Sequence, residues 1–339
     1  MKKKLTLLLS LSFIIFHLSF SPAGAQRLVR QRFHHELPAG NYSGICALGD
    51  GRFAVVDDKA EEDGFYVFRI GIDSVKGRIT EVANEGYRSS GLPNRDMEGI
   101  CYCPSTNTLF ISGEADNEVY EYHLDGQRTG RRLAMPPEFR KAGKNYGLEA
   151  LAYDRRRHLF LTTTEQPLPG DTLLRIQTFG DDLQPRQQYL YRPDLEIENR
   201  KSVNSKFHGV SAMCALDDGR LLVMERQIRV PKMKLGARAV THIYEVVLPD
   251  VPAPDTRHPA RPIGTLAEPD GARTPNTYDE PPIVEKHLVK EIRTRLTLTS
   301  RRFANCEGLC EPSPGLLLIV ADSQNRFRGV LRDWFILLK

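Results

Sequence analysis

Carboxylate side chains recur at matched positions along this sequence. Glu98, Glu149 and Glu307 each begin a short segment that reads Glu-Gly-Ile or a close variant of it. A further acidic residue ends the next apolar run of every repeat, at Asp57, Glu114, Glu165, Glu225 and Asp322. Carboxylates that converge in space can bind a hard cation such as calcium or transfer protons during hydrolysis. Their chemistry therefore depends on whether the fold brings them together.

The segments that carry these residues form a repeat. It begins at residues 43, 98, 149, 211 and 307, with Ser in place of Glu at Ser43 and Ser211. Each start is followed by turn-forming residues, by a second strongly apolar run and by a third run that alternates apolar and polar residues. Four short antiparallel strands repeated every 40–60 residues or so are typical of the blades of a β-propeller.

The predicted fold is therefore all-β, a single β-propeller with five readable four-stranded blades, over residues 26–339. A sixth blade within the long interval before residue 307 stays open, although residues 249–282 are rich in Pro, Asp and Gly and indicate an insertion or loop. The last repeat ends after three strands, so we expect residues 27–37 to supply the missing strand and close the ring. A pair of β-sandwiches would not require the same start and the same acidic end in every unit.

The N-terminus has the pattern of an export signal. Three lysines precede an apolar run, and Ala23-Gly24-Ala25 has the small residues that signal peptidase accepts. We expect cleavage after residue 25 and a periplasmic or secreted protein. The apolar run is short for a membrane span, which needs about 20 apolar residues, and no other stretch is apolar enough, so we expect no membrane span.

The net charge and the cysteine positions limit the binding partners and the disulfides that we expect. Without residues 1–25 the formal net charge falls from +4 to about +1, with both signs interspersed, which argues against a nucleic-acid partner. Four of the six cysteines occupy one column of the repeat, on different blades. We therefore expect mostly free, buried thiols rather than disulfides. We also expect a monomer.

The first strand of each propeller blade lines the central channel, and the second strand runs back beside it. The repeat-start and run-end carboxylates should therefore meet at one mouth of the channel, where like charges need compensation. As catalytic residues the pattern predicts Glu98, Glu149, Glu225, Glu307 and His208. As metal ligands it predicts Glu98, Glu149, Glu307 and Asp322, with calcium as the cofactor. As substrate-binding residues it predicts Arg226, Lys206 and Asn325. The alternative is structural, because such carboxylates often accept N–H bonds from the neighbouring blade.

The chain resembles the phytase-like propellers that carry the label "esterase-like activity of phytase". The segment from Gly209 to Met213, followed by residues 216–226, resembles the fourth-repeat signature of that family. Blocks at residues 42–45, 96–100, 147–151 and 305–309 agree with it in order. The resemblance implies an exported propeller that hydrolyses ester or phosphoester bonds. The chain departs from the family at Ala321-Asp322-Ser323, which puts a shared metal site at Asp322 in doubt.

Together these features predict a calcium-assisted hydrolase of a phosphate or other anionic ester. Metal held by the channel carboxylates would bind the substrate, and Glu225 or His208 would transfer the proton. Two alternatives stay open. One is a non-catalytic propeller that binds a glycan or a protein, and the other is a metal-dependent lactonase.

Overall fold

The fold is described from a computed structural model, for residues 36–143, 145–194, 203–232, 234–249, 281–299 and 301–339. For residues 203–206 only the backbone is described. The predicted leader, most of the predicted closing strand and nearly all of the predicted insertion lie outside these ranges. No helix within them has the length and apolar character that a bilayer span requires.

The described residues form five antiparallel sheets. The first contains β1 (Tyr42–Gly49), β2 (Arg52–Asp57), β3 (Glu62–Asp73) and β4 (Arg78–Pro93). The second contains β5 (Met97–Cys103), β6 (Thr108–Gly113), β7 (Glu118–Tyr122) and β8 (Arg128–Arg132). The third contains β9 (Leu148–Asp154), β10 (Leu159–Thr164), β11 (Leu174–Gly180) and β12 (Pro185–Tyr191). The fourth contains β13 (Val203–Ala215), β14 (Leu221–Pro231), β15 (Arg238–Val247), β16 (Glu285–Leu296) and the short β17 (Arg301–Arg302). The fifth contains β18 (Asn305–Ser313), β19 (Leu316–Asp322) and β20 (Trp334–Leu338). Single 3-10 turns occur at Pro137–Lys141 and Phe327–Gly329.

The first strands of the five sheets form a closed ring at the centre of the molecule. β1 packs beside β5, β5 beside β9, β9 beside β13 and β13 beside β18, which returns to β1. The sheets are therefore the five blades of a β-propeller, as the repeat predicts. Because β13 contacts β18 directly, the described strands leave no place in the ring for the sixth blade that the sequence left open. Leu37, at the end of the predicted closing strand, is buried among residues of the first and fifth blades.

Close approach of the inner strands explains the glycine in the repeat. A Cβ on Gly44 would lie 2.3 Å from the Glu98 carbonyl oxygen of the next blade, and one on Gly99 would lie 2.7 Å from the Leu151 nitrogen. At Gly308 the nearest backbone atom, the Ile45 nitrogen, would be 2.8 Å away. A side chain at any of these places would push two inner strands apart.

Apolar side chains fill the space between the blades and form most of the core. All six cysteines are buried and free, as predicted. Trp334 is also buried, and its indole N–H donates to the Phe303 carbonyl at 3.0 Å. This contact joins the final strand to the segment that precedes the first strand of its own blade.

The four main strands of the fourth blade are longer than those of the third. β13, β14, β15 and β16 contain 13, 11, 10 and 12 residues, whereas the four strands of the third blade contain six or seven each. The extra residues of β13, β14 and β15 pair with one another. Ile228 on β14 lies opposite Phe207 on β13 and opposite Ala239 on β15. The blade therefore rises above the channel mouth as a wall. The sequence predicted its strands but not this extension.

Candidate functional site

The channel mouth is organised around one arginine. The Arg226 guanidinium pairs through Nη2 with Glu149 at 2.9 Å and with Glu165 at 3.2 Å, and through Nη1 with Glu307. Glu149 and Glu165 belong to the third blade, and Glu307 belongs to the fifth. Their side chains are at most 9% exposed, and that of Arg226 is 11% exposed. Burial alone would lower the pKa of Arg226, but the surrounding carboxylates raise it, so the guanidinium stays charged.

Asn305 connects this cluster to the end of β19. Its amide oxygen accepts a hydrogen bond from Arg226 Nη1 at 3.2 Å. Its amide nitrogen donates to Glu307 and, at 3.3 Å, to Asp322. One side chain thus sets the positions of a cation and two acids. We call Arg226, Glu149, Glu165, Glu307, Asn305 and Asp322 the mouth cluster.

Glu98 and Glu149 face the channel itself. Burial raises the pKa of Glu98 well above its ordinary value, and the Glu149 carboxylate adds to the effect. Burial also raises the pKa of Glu149, although Arg226 opposes the shift. Glu98 lacks such a direct ion pair among the described residues, so burial favours the neutral form of its carboxyl group.

Asp322 and Glu307 are the acids that a ligand can reach from outside the channel. Burial raises the pKa of Asp322 to about 6. Of the two Glu307 oxygens, Oε1 carries the bonds to Arg226 and Asn305, whereas the buried Oε2 has no hydrogen-bond partner in the described part of the chain. A carboxyl group with a pKa near neutrality beside an unsatisfied acceptor is a common feature of acid–base sites.

The sizes of the channel and of a neighbouring cavity determine how a ligand can approach the mouth cluster. Between Glu98, Glu149, Ser211 and Glu307 the channel encloses only about 10 Å³, which is room for one water molecule at most. A cavity of about 780 Å³ lies between the fourth and fifth blades, and its lining includes Arg226, Asn305, Glu307 and Asp322. Glu307 thus borders both spaces. A substrate can reach the mouth cluster from this cavity but cannot enter the channel.

The blade 4 wall lines one side of the cavity. Arg226, Ile228 and Val230 alternate along β14, so their side chains share one face of the strand. Phe303 and Leu331 also line the cavity and belong to the same buried apolar cluster as Ile228. Beside them, residues 324–329 have six consecutive positive φ angles, between 28° and 74°, a conformation that L-residues rarely adopt. The Ser323 hydroxyl anchors this turn by accepting the Arg326 N–H at 3.0 Å.

Calcium does not fit the mouth cluster as it stands. Within the described ranges, no three Asp, Glu, His or Cys side chains are arranged to hold a metal ion. Glu149 and Glu307 were predicted as ligands, but both already pair with Arg226. A calcium ion that used them would have to displace the guanidinium. We therefore derive no step through calcium, which stays a prediction.

A family pattern described as "Phytase-like: Esterase-like activity of phytase" matches residues 37–323. This chain belongs to the phytase-like family. The match includes the mouth cluster and every described strand except β20, so the predicted resemblance is confirmed. No curated protein matches the chain.

Several solved structures share its general architecture at low identity. A streptogramin B lyase is 14% identical, with 90% of this chain and 96% of that chain covered and a TM-score of 0.39. An endo-arabinase from Bacteroides thetaiotaomicron is 10% identical, with 92% and 96% covered and a TM-score of 0.43. A luciferin-regenerating enzyme is 10% identical, with 89% and 92% covered and a TM-score of 0.42. Likeness at this level carries no argument about activity.

Glu225 lies apart from the mouth of this phytase-like propeller, contrary to expectation. It is fully buried between the third and fourth blades, where it accepts hydrogen bonds from Lys286 Nζ at 2.6 Å, from the Tyr191 hydroxyl at 2.5 Å and from the Asp194 backbone N–H at 3.0 Å. Because neighbouring strand residues face opposite ways, Arg226 points to the mouth and Glu225 points away. The predicted proton-transfer role of Glu225 is therefore not supported by its position.

The other predicted residues fall in different places. His208 is half-buried on β13, and its carbonyl accepts a bond from Gln166 Nε2; its side chain does not line the cavity. Asn325 is exposed in the left-handed turn, and its neighbour Gln324 lines the cavity instead. For Lys206 the described backbone pairs with Arg229, and its side chain lies outside the described atoms.

Sequence reasoning missed two members of the mouth cluster as site residues, and it missed the cavity. Glu165 was predicted to lie at the mouth as a run-end carboxylate, but no role was assigned to it. Asn305 lies two residues before a repeat start, and neither its type nor its spacing distinguished it. At Glu114 the structural alternative is correct, because its carboxylate accepts the Gly147 N–H of the next blade at 3.1 Å. The alternation of Ile228 and Val230 with Arg226 was the available signal for the cavity wall.

Proposed function

We propose that this phytase-like propeller is an ester hydrolase whose reaction takes place at the mouth cluster. The observation that carries the proposal is the position of Asp322, with a pKa raised to about 6, at the end of a large cavity and beside a buried arginine. Membership of the family supports an esterase-like activity. The combination of a perturbed acid, a fixed cation and a substrate-sized cavity is the usual form of a hydrolytic site.

In the proposed reaction Asp322 acts as general base. Water attacks the ester carbonyl carbon and forms a new C–O bond while its proton passes to the Asp322 carboxylate. The Arg226 guanidinium stabilises the negative charge that develops on the carbonyl oxygen. The bond to the alkoxy oxygen then breaks, and the departing alcohol takes the proton from Asp322. The products are a carboxylic acid and an alcohol, and Asp322 is again ionised.

The charge of the mouth cluster favours an uncharged ester. One guanidinium faces three carboxyl groups, with Asp322 beside them, so acidic groups outnumber the cation at the mouth. A phosphate or other anionic ester, as predicted from the sequence, would be repelled unless a further cation bound with it. Uncharged esters and lactones meet no such barrier. Calcium-dependent turnover of a phosphate ester, lost with a chelator, would support the anionic alternative.

Asp322→Asn tests the proposal directly. The amide keeps the size and the Asn305 contact of the side chain but cannot accept a proton. We expect kcat on a carboxylic-ester or lactone panel to fall by a factor of about 10²–10⁴, with an unchanged melting temperature or a higher one. Asp217→Asn, at the other end of the channel, is the matched control and should keep full activity.

The rate–pH profile provides a second readout. Because Asp322 must be ionised to act as a base, kcat/KM should rise with pH through an apparent pKa of about 6, and this limb should disappear in Asp322→Asn. Equal activity in the variant and the wild type would refute the role of Asp322. A protein that binds glycan or protein partners but turns over no ester would favour the non-catalytic alternative.

A further inference from the structure

Exposed apolar side chains gather at the entrance of the cavity. Phe207 is 51% exposed, Leu235 is 44% exposed and Leu298 is 88% exposed, and all three line this one space. Large side chains of this kind are costly to leave in water, and a contiguous group of them usually marks a binding surface. None of these residues contributes to the proposed hydrolytic chemistry, so they need a separate explanation.

The interior of the cavity continues this apolar character. A buried cluster behind the wall joins Ile228, Ala237 and Leu296 of blade 4 to Phe303 and Leu331 of blade 5. The same residues face the cavity. Ile228 and Leu296 lie in regular strands, and the Leu331 N–H donates to the Arg326 carbonyl of the anchored turn at 3.2 Å. Backbone hydrogen bonds therefore hold much of the cavity wall in place before any ligand arrives. A preformed apolar cavity binds a ligand without the entropy cost of ordering its walls.

Most of the side chains that line the cavity are apolar, and four of its polar ones belong to the mouth cluster. Lys234 also lines it, and its ammonium sits 4.1 Å from the centre of the Phe327 ring. The other polar side chains of the lining are Thr297, Arg301 and Gln324. Arg301 Nη1 donates to the Gly329 carbonyl at 2.8 Å. This distribution suits a molecule with an apolar body and a small reactive group at one end.

We infer that the cavity binds an acyl or aryl group, which in the proposed reaction is carried by the ester substrate. The inference rests on the proposed function for the reaction, but not for the binding itself. A volume of about 780 Å³ lies within the usual range of about 300–1,000 Å³ for sites that enclose a drug-sized ligand. The substrate class is thus an uncharged ester with a medium-length apolar chain or an aromatic group.

A chain-length series tests the inference through catalysis. The p-nitrophenyl esters of acetate, butyrate, hexanoate and octanoate differ only in methylene count. We expect KM to fall by about two- to fourfold for each added methylene until the cavity is filled, the upper figure being the full transfer free energy of one methylene group. A KM independent of chain length would contradict the inference even if every ester were hydrolysed.

A binding experiment tests the cavity without any turnover. Nile red, an uncharged apolar dye, should bind to the wild type and to Asp322→Asn with equal affinity. Leu235→Asp should weaken binding about tenfold, since it places a charge on the apolar wall. Leu288→Asp is the matched control, because Leu288 is 50% exposed on β16 and lies outside the cavity; this variant should bind as the wild type does.

The two experiments separate the failure of each idea. Suppose that Leu235→Asp weakens dye binding, that Leu288→Asp does not, and that no ester is hydrolysed. The assignment of the cavity would then stand, and the proposed function would be refuted. If Leu235→Asp does not fold, Leu298→Asp replaces it, because that side chain is almost fully exposed. No dye binding by the wild type, or equal weakening by the cavity variants and the control, overturns the inference.

Discussion

Replacing Arg226 tests whether the arginine is the cation that makes the channel mouth stable. Arg226→Met removes the charge and keeps much of the side-chain volume. It leaves Glu149, Glu165 and Glu307 buried with no guanidinium. Breaking a buried ion pair by removing one partner costs about 3–5 kcal/mol, because an uncompensated charge remains. We expect a loss of this size in the free energy of unfolding at pH 8.

The loss should depend on pH in a defined direction. Without the guanidinium, Glu149 loses the charge that opposes the effect of burial on the pKa of its carboxyl group, so this pKa rises further in the folded state. A raised folded-state pKa means that stability is retained at low pH and lost as pH rises through the raised value. The penalty of Arg226→Met should therefore shrink to about 2 kcal/mol or less at pH 5. Adding Glu307→Gln to Arg226→Met should recover part of the loss at pH 8.

Urea denaturation followed by the fluorescence of Trp334 provides the assay, since it is the only tryptophan and it is buried. Arg220→Met is the control. Arg220 pairs with Asp218 and Glu245 but its side chain is 37% exposed, so its loss should cost less than about 1 kcal/mol. A loss below about 1 kcal/mol for Arg226→Met, or a loss that does not change between pH 5 and pH 8, would refute this account of the mouth.

The remaining predictions concern the acid, the blade contacts and the metal. The wild type should lose stability as the pH rises from 4 to 6, and Asp322→Asn should abolish this loss. A folded-state pKa raised from 3.8 to about 6 corresponds to at most about 3 kcal/mol, and parallel unfolding curves for both proteins would contradict this. Gly99→Ala should lower the melting temperature sharply because its Cβ would strike the backbone of Leu151, whereas Gly143→Ala, which meets only the Tyr146 ring edge at 3.3 Å, should change it little. Glu225→Gln should destabilise the protein through its buried bond to Lys286 and leave kcat unchanged; a large loss of kcat with full stability would return Glu225 to the site. Calcium should raise the melting temperature of Arg226→Met more than that of the wild type, because in the variant the carboxylates no longer pair with a guanidinium. A large calcium-dependent shift in the melting temperature of the wild type would favour the metal-assisted hypothesis.

The sequence alone was enough to predict the propeller, because repetition and strand alternation are local properties. The turn residues, the apolar second strands and the Gly of the repeat each reflect a constraint within one blade or between adjacent blades. The buried free cysteines could be predicted for the same reason. The five-blade count followed from the repeat, but only the contact of β13 with β18 removed the sixth blade.

The composition of the site was decided by the tertiary structure. In the sequence Glu225 and Arg226 are adjacent and equally eligible, yet the pleat sends one to the interface of two blades and the other to the mouth. Asn305 became important only because it contacts both Glu307 and Asp322. The repeat thus determines which carboxylates approach the axis of the propeller. Which of them pair with Arg226, and which a ligand can reach, depends on distances between blades that are far apart in the chain.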